Sequence, residues 1–342
     1  ADVFGFEDTL FEQIERLPPG MQLTVEQGAV ELSRFWHPES VPSQSLSSPD
    51  AIAEAFSETL EAAVQARLRS TARVAAHLSG GMDSAAIVNV AGRLLATDGD
   101  GLSAYCWLQP GPFGDEEESD EWRYARRVAE AEPVSLRPVK TSLEQVRGLL
   151  SCTDIARHDA VYPLYENDIL RRMQAAGEGV LLSGWGGDEF VSNSGLDWFP
   201  SAVRSLHWLS LKKELAALNR VEARGRRSSK NLFKLAVLQP LAELLGVSAS
   251  RNEATQRKAM LDELRPLVTG ETYDHLRARP LPVTSSWSVR EKMLKQYRAG
   301  HLQSRAESWA AMGRRHGVEY RYPLLDQRLI ELVLGLPGDA FY

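Results

Sequence analysis

The densest chemistry in the chain is the run Ser79-Gly80-Gly81-Met82-Asp83-Ser84. Glycines let consecutive backbone N–H groups converge on an anion, and a helix beginning there adds the positive end of its dipole. The hydroxyls of Ser79 and Ser84 are further donors, and Asp83 is an oxygen ligand able to hold a divalent cation against phosphates. The string is not a Walker loop, because no G-x-x-x-x-G-K followed by Ser or Thr occurs. A second run, Ser183-Gly184-Trp185-Gly186-Gly187-Asp188-Glu189, joins three glycines to an acidic pair. Asp188 is the natural companion of Asp83 around one Mg2+. Each run also has a plain structural reading: a tight turn closed by an Asp N-cap, and two acidic residues favoured at a helix start. Either is tenable alone, but together they leave unexplained why both follow apolar strands.

Those strands belong to a regular alternation. Residues 51–69 repeat apolar side chains at helical spacing, with Ser48 and Pro49-Asp50 as start signals. A strand over 74–78 precedes the first glycine turn, and a helix starts at about Asp83. Further strands are expected at 102–110, 133–139 and 180–184, with helices in EWRYARRVAEAE and YPLYENDILRRMQAAG. Strands separated by helices of this length give βαβ units, hence an α/β fold with a mostly parallel sheet, followed by a largely helical C-terminal half from about residue 200. Both glycine turns then fall at carboxyl ends of strands, where open α/β sheets bind ligands. Residues 1–40 read as a helical turn, a small β-ribbon and a polar linker, too little for a domain.

Composition sets bounds. With 342 residues, 43% hydrophobic and 25% charged, the chain can bury a substantial core. A formal net charge of -7 gives no general attraction to nucleic acid or anionic membrane. Cys106 and Cys152 make neither a disulfide framework nor a metal cluster and suit a reducing cytoplasm. No apolar run approaches the roughly 20 residues of a transmembrane segment, and no signal peptide is visible. The acidic run 115–121 and the basic run 224–230 are expected to be solvated loops.

SGGMDS resembles the SGGxDS pyrophosphate loop of N-type ATP pyrophosphatases (adenine nucleotide alpha hydrolase-like), and LSGWGGDE resembles the second signature of asparagine-synthetase-like domains. LPPG near the start, HDAVYPLYENDI at 158–169 and YRYPLLDQRL at 320–329 keep the expected order. The resemblance implies ATP and Mg2+ as cofactors. Ser79, Gly80, Gly81, Asp83 and Ser84 would hold pyrophosphate, and Asp83 with Asp188 would hold the metal. Leu78, Met82, Trp107, Ser183 and Gly184 would lie near the nucleoside. The chemistry implied is conversion of a carboxylate to an acyl-AMP, which an amine then displaces.

The same resemblance makes residues 1–45 the remnant of an N-terminal glutaminase-like domain and residues 50–342 a synthetase domain short at its C-terminus, with the catalytic lysine expected beyond residue 342 and neither Lys292 nor Lys295 assigned to it. Position 185 separates acceptor chemistries: asparagine synthetases resemble this motif with Glu there, β-lactam synthetases with Tyr. Trp185 accepts no proton and suits packing an apolar or aromatic surface. The form GWGGDEFVSNSG is most similar to lasso peptide cyclases, which implies macrolactam formation on a precursor peptide. Partners implied are that peptide, a leader peptidase and a leader-recognition protein, with no nucleic acid. His158, with Asp159, is an acceptor-site candidate. Glu189 is expected to brace the Asp188 loop through backbone amides, and Arg321 and Asp326 to form a buried scaffold pair. Asparagine or β-lactam synthetase chemistry on a small substrate, a tRNA-modifying pyrophosphatase, and a non-catalytic nucleotide-binding scaffold are the alternatives.

Overall fold

The computed structural model describes residues 13–46, 48–97, 101–108, 120–140, 163–193, 197–222, 238, 259, 261–262, 265–266, 269–278, 286–298 and 300–341. The chain divides into two compact units, Ala1–Asn193 with Met293–Ala340 and Ser194–Lys292 with Phe341–Tyr342.

The first unit opens on an antiparallel ribbon, β1 (Met21–Glu26) and β2 (Ala29–Arg34). Its two-residue turn puts Gln27 at φ 48° and Gly28 at φ 84°, the left-handed pair that matches strand twist. Trp36 ties the ribbon to the body: its Nε1 donates to Glu331 at 2.7 Å and its ring meets the edge of Tyr297 at 5.3 Å.

A 20-residue helix, α1 (Pro49–Leu68), follows. The Ser48 side chain accepts from the Ala51 N–H, as its start signal requires. Then come β3 (Arg73–His77), α2 (Met82–Thr97), β4 (Leu102–Leu108), α3 (Asp120–Ala131), β5 (Val134–Lys140), α4 (Pro163–Ala176) and β6 (Glu178–Leu182). The strands begin and end within two residues of their sequence-derived bounds. β6 starts earlier because Glu178, although charged, is buried: Ser103 Oγ donates to it at 2.6 Å and Tyr105 OH at 2.8 Å. Both donors are on β4, and on the intervening strand β3 Arg73 is in register with Glu178 and Ala75 with Ser103.

The sheet order is β5-β4-β3-β6-β7, every pair parallel, with β7 (Glu319–Arg321) added at the edge beside β6. Alternation along β3 sends Val74, Ala76 and Leu78 into one core with Leu60, Val64, Ile87 and Val88 of α1 and α2. Ala75 belongs to the other core, with Ile169, Leu170 and Met173 of α4. The same core extends to α9 (His301–Arg314) through Trp309 and Met312. A parallel sheet covered on both faces is the architecture expected from the sequence. In the second unit, α5 (Trp198–Arg204) and α6 (Trp208–Glu222) pack Phe199, Val203 and Leu211 together, and α7 (Gly270–Ala278) is also helical. The remaining helices are α8 (Val289–Arg298) and α10 (Gln327–Gly335). Among the described residues no helix is long and apolar enough to cross a membrane.

Arg321 and Asp326 are scaffold residues, but not paired with each other. Arg321 Nη1 donates to the carbonyls of Arg67 (2.7 Å) and Arg69 (2.9 Å), satisfying the C-terminal end of α1, while its other donors hold Glu319. Asp326 caps α10 by accepting from the Arg328 N–H and forms ion pairs with Arg67 and Arg328. Burial pushes its pKa up, but the hydrogen bonds from Arg328 and Arg67 and the Arg67 charge prevail and hold it at about 2. A folded pKa below the unfolded value stabilises the fold above the ordinary aspartate range and is lost as pH falls towards 2. Asp326→Asn is therefore expected to destabilise by about 2 kcal/mol at neutral pH. In urea unfolding, its difference from the parent should shrink steadily below about pH 4.

Candidate active site

β3 and β6 are neighbours and point the same way, so the loops that leave their carboxyl ends must meet. The first loop is closed by its own serines. Ser84 Oγ accepts the Ser79 N–H at 3.1 Å, lies 3.1 Å from Ser79 Oγ and donates to the Gly81 carbonyl at 3.1 Å. The two hydroxyls therefore shape the loop as well as lining it. Gly80 is left-handed at φ 80°, and a Cβ there would lie 2.3 Å from the Glu121 carbonyl oxygen at the start of α3. Close backbone approach requires this glycine whatever the loop binds.

The second loop runs from Ser183 through Gly186, at φ 97°, into a π-helical turn over Gly187–Val191. Asp188 and Glu189 do fall in its first turn, so their place at a helix start is real. The glycines of this loop make room for the first loop. A Cβ on Gly184 would sit 3.1 Å from the Ser84 backbone nitrogen, and one on Gly187 would sit 2.1 Å from Asp83 Oδ2. The Asp83 carboxylate thus rests on the bare Cα of Gly187, one residue from Asp188. Ser192 Oγ donates to it at 3.0 Å. Burial raises the Asp83 pKa; the Ser192 hydrogen bond opposes this, and the charges of Asp188 and Glu189 add to the rise.

Asp83 and Asp188 are oxygen donors of the kind Mg2+ takes, and Asp83 feels the charges of Asp188 and Glu189. Among the described residues no group of three or more His, Cys, Asp or Glu is arranged to bind a metal unaided. The fit is to an ion shared with oxygens of another molecule, such as phosphate, rather than to a closed protein cage.

The other sequence candidates are placed as follows. Leu78 is fully buried beneath the first loop, while Met82 is 82% exposed at its tip. Ser183 is buried, and its Oγ accepts the Trp185 N–H at 3.3 Å. Trp107, at the end of β4, meets the His77 ring at 4.6 Å with the planes tilted by 44°, and its buried Nε1 has no partner among the described residues. His158 and Asp159 lie outside the described residues, as do the basic run 224–230 and most of the acidic run. Glu189 does not brace the loop as expected: it is buried with one oxygen 3.5 Å from His301 Nε2, and its other oxygen is without a partner among the described residues. Lys292, in the second unit, is engaged with Asp197 at 3.0 Å.

The surroundings of Trp185 were not foreseen. Helix α9 presents His301, Arg305 and Trp309 at i, i+4 and i+8, and each meets the indole: His301 edge-on at 6.2 Å, the Arg305 guanidinium 4.0 Å above the ring, and Trp309 at 6.1 Å. Tyr322 joins them 6.3 Å from Trp309. Its hydroxyl is pushed up by burial and the Glu166 charge and drawn down by Arg305. The periodicity of α9 was the available signal, since a basic and an aromatic residue share its face with a histidine.

This parallel sheet with two glycine loops meeting at its carboxyl edge defines an open α/β domain of the class that binds ligands beyond its strand ends. The chain belongs to the asparagine synthase family, whose description matches residues 55–342. That family assigns it ATP-dependent, amide-forming chemistry. No curated protein sequence matches the chain significantly. Similar solved structures include the U34-tRNA thiolase NcsA from Methanococcus maripaludis with its 4Fe-4S cluster (15% identity, 68% of this chain and 81% of that one, TM-score 0.30). They also include the NAD+ synthetase from Burkholderia pseudomallei (13%, 45% and 70%, TM-score 0.29) and the NH3-dependent NAD synthetase from Campylobacter jejuni with a nitrate ion (13%, 67% and 93%, TM-score 0.27). Superpositions this loose decide nothing; the fold class follows from the strand order itself.

Two stability measurements check the loop contact. Gly187→Ala is expected to cost about 2 kcal/mol by overpacking. Combined with Asp83→Ala it should cost distinctly less than the sum of the two, because the clash is with that carboxylate. Because the folded state raises the Asp83 pKa, its ionised form opposes folding above the ordinary aspartate range and ceases to do so below it. Asp83→Asn should therefore raise the Tm of the cation-free protein at neutral pH by on the order of 2 °C. The gain should vanish below about pH 4.

Proposed function

We propose that this chain uses ATP to adenylate an Asp or Glu side chain of a precursor peptide, and that the peptide's N-terminal amine then displaces AMP to close a macrolactam. The observation that carries the nucleotide half is the seat of Asp83 on Gly187 beside Asp188. One acidic site is built from two strand-end loops, and each loop has glycines where a backbone or a carboxylate passes. In this reading the Ser79–Ser84 loop receives the pyrophosphate portion of ATP, and Leu78, Met82, Trp107, Ser183 and Gly184 flank the nucleoside. Asp83 and Asp188 would hold Mg2+, which when bound offsets the charge of the polyphosphate.

The peptide half is supported by position 185. Trp185 carries no carboxylate or hydroxyl to serve a small nucleophile, and it stands in a wall of large side chains, Trp309, Tyr322 and Arg305. Such a wall supplies orientation rather than proton transfer. His158 is retained as a contact to the acceptor, and the peptide's leader peptidase and leader-recognition protein as partners.

The test is to supply ATP, Mg2+ and the leaderless peptide encoded beside the gene and to weigh the products. A macrolactam has lost one water, with AMP and pyrophosphate formed alongside. Asp83→Asn is expected to abolish AMP formation, at least 100-fold by the scale of lost electrostatic stabilisation. Trp185→Ala should lower cyclisation more than ATP affinity. Full turnover in the first variant, or a loss confined to nucleotide binding in the second, would contradict these assignments.

A further inference from the structure

We infer that the open edge of β7 receives an extended, acidic stretch of the substrate peptide, beside the reaction site and outside it; this rests on the peptide reading above and adds the surface that holds the part of the peptide that does not react. β7 ends the sheet, with β6 on one side and, among the described residues, no strand on the other. A groove of about 750 Å3 is lined by residues 319–322, by Ala66, Arg67 and Arg69 at the C-terminal end of α1, and by Leu325. Side chains of successive strand residues alternate between faces, so four in a row line one groove only where it follows the strand's edge. β6 occupies one edge, which leaves the open one. The Ser183 N–H donates to the Arg321 carbonyl at 2.9 Å, so residue 321 turns its backbone to β6. In a parallel strand the neighbouring residue turns its N–H and C=O the opposite way. Tyr320 therefore presents both groups to the groove, where they have no partner among the described residues. Two bonds to one residue set the register of an added strand, while an edge of three residues is too short to template aggregation.

Charge selects the kind of strand. Three arginines line the groove against the single carboxylate of Glu319, in a chain whose net charge is -7. Arg321 is engaged by Glu319 and by the carbonyls of Arg67 and Arg69, and Arg67 by Asp326. Arg69 is exposed, and its side chain has no partner among the described residues; only its carbonyl is held. That guanidinium is left for a carboxylate from outside the chain. The groove also leads to the reaction site. Leu325, which lines it, fills the space over the second glycine loop: a Cβ on Gly186 would stand 2.3 Å from Leu325 Cδ2. Tyr322 lines it too, and its ring is 6.3 Å from Trp309 in the wall around Trp185. A peptide lying along β7 thus reaches the loop that carries Trp185 without crossing the sheet.

The experiment is cyclisation kinetics of the full chain with the leaderless peptide encoded beside the gene. Parallel peptides carry Asn or Gln in place of each Asp or Glu other than the acylated one. Arg69→Glu should raise the peptide KM roughly 10-fold, because reversal replaces an attraction by a repulsion of similar size. The loss should fall on KM rather than kcat, and ATP affinity should hold, which shows that the variant is folded. Arg69→Lys, with the charge kept, should stay near the parent. One acid-to-amide change in the peptide should raise KM with the parent protein and do nothing further with Arg69→Ala, the coupling expected of a direct pair. Methylating the peptide's backbone nitrogens one at a time should find a sensitive position next to that acid. Cyclisation by the parent with an unchanged KM in Arg69→Glu, or with no acid of the peptide coupled to Arg69, overturns this inference alone. A dimeric parent that Arg69→Glu turns monomeric in sedimentation gives the edge to a second copy of the chain and also overturns it. No macrolactam from the parent overturns the peptide reading and this inference with it.

Discussion

The site depends on a carboxylate resting on a glycine. Asp83 can stand where it does because Gly187 has no side chain, and the second loop can pass so close because Gly184 has none either. Parallel pairing of β3 with β6 brings the two loops to the same edge, and the glycines let them touch. The price is an acidic group part-way out of water beside two others, raised in pKa by its burial first and by Asp188 and Glu189 in addition. Holding like charges together in this way costs stability, the usual balance between stability and activity.

The scaffold around this edge is conventional by comparison. Two apolar layers, one on α1 and α2 and one on α4 and α9, cover a five-stranded sheet. Polar side chains finish what the backbone leaves open: Ser48 at the start of α1, Arg321 at its end, Asp326 at the start of α10. Arg321 and Asp326 come from one short segment, so β7, the end of α1 and the beginning of α10 are locked together by neighbouring residues.

Much of this was legible in the chain. Alternation and helical spacing located β3 to β6 and the first helices, because each element buries one face and repeats its own period. The two glycine runs announced the site, since close backbone approach admits few other residues. What stayed hidden was of another kind. β7 has only three residues, too few for any period to register, and its place beside β6 is set by pairing at long range. Ser192 is an ordinary polar residue until the turn over 187–191 folds it back onto Asp83. The reasons for Gly80 and Gly187 also differ from the simplest expectation: their space is filled by Glu121 and Asp83 of the protein itself. The partner of Glu189 was misjudged because His301 lies more than a hundred residues away in sequence.

Helix α9 gives Trp185 three contacts from three successive turns. Side chains mounted on one rod cannot drift independently, so the rod's roll and slide fix all three together. A substitution at position 185 is then met by three successive turns of one helix at once.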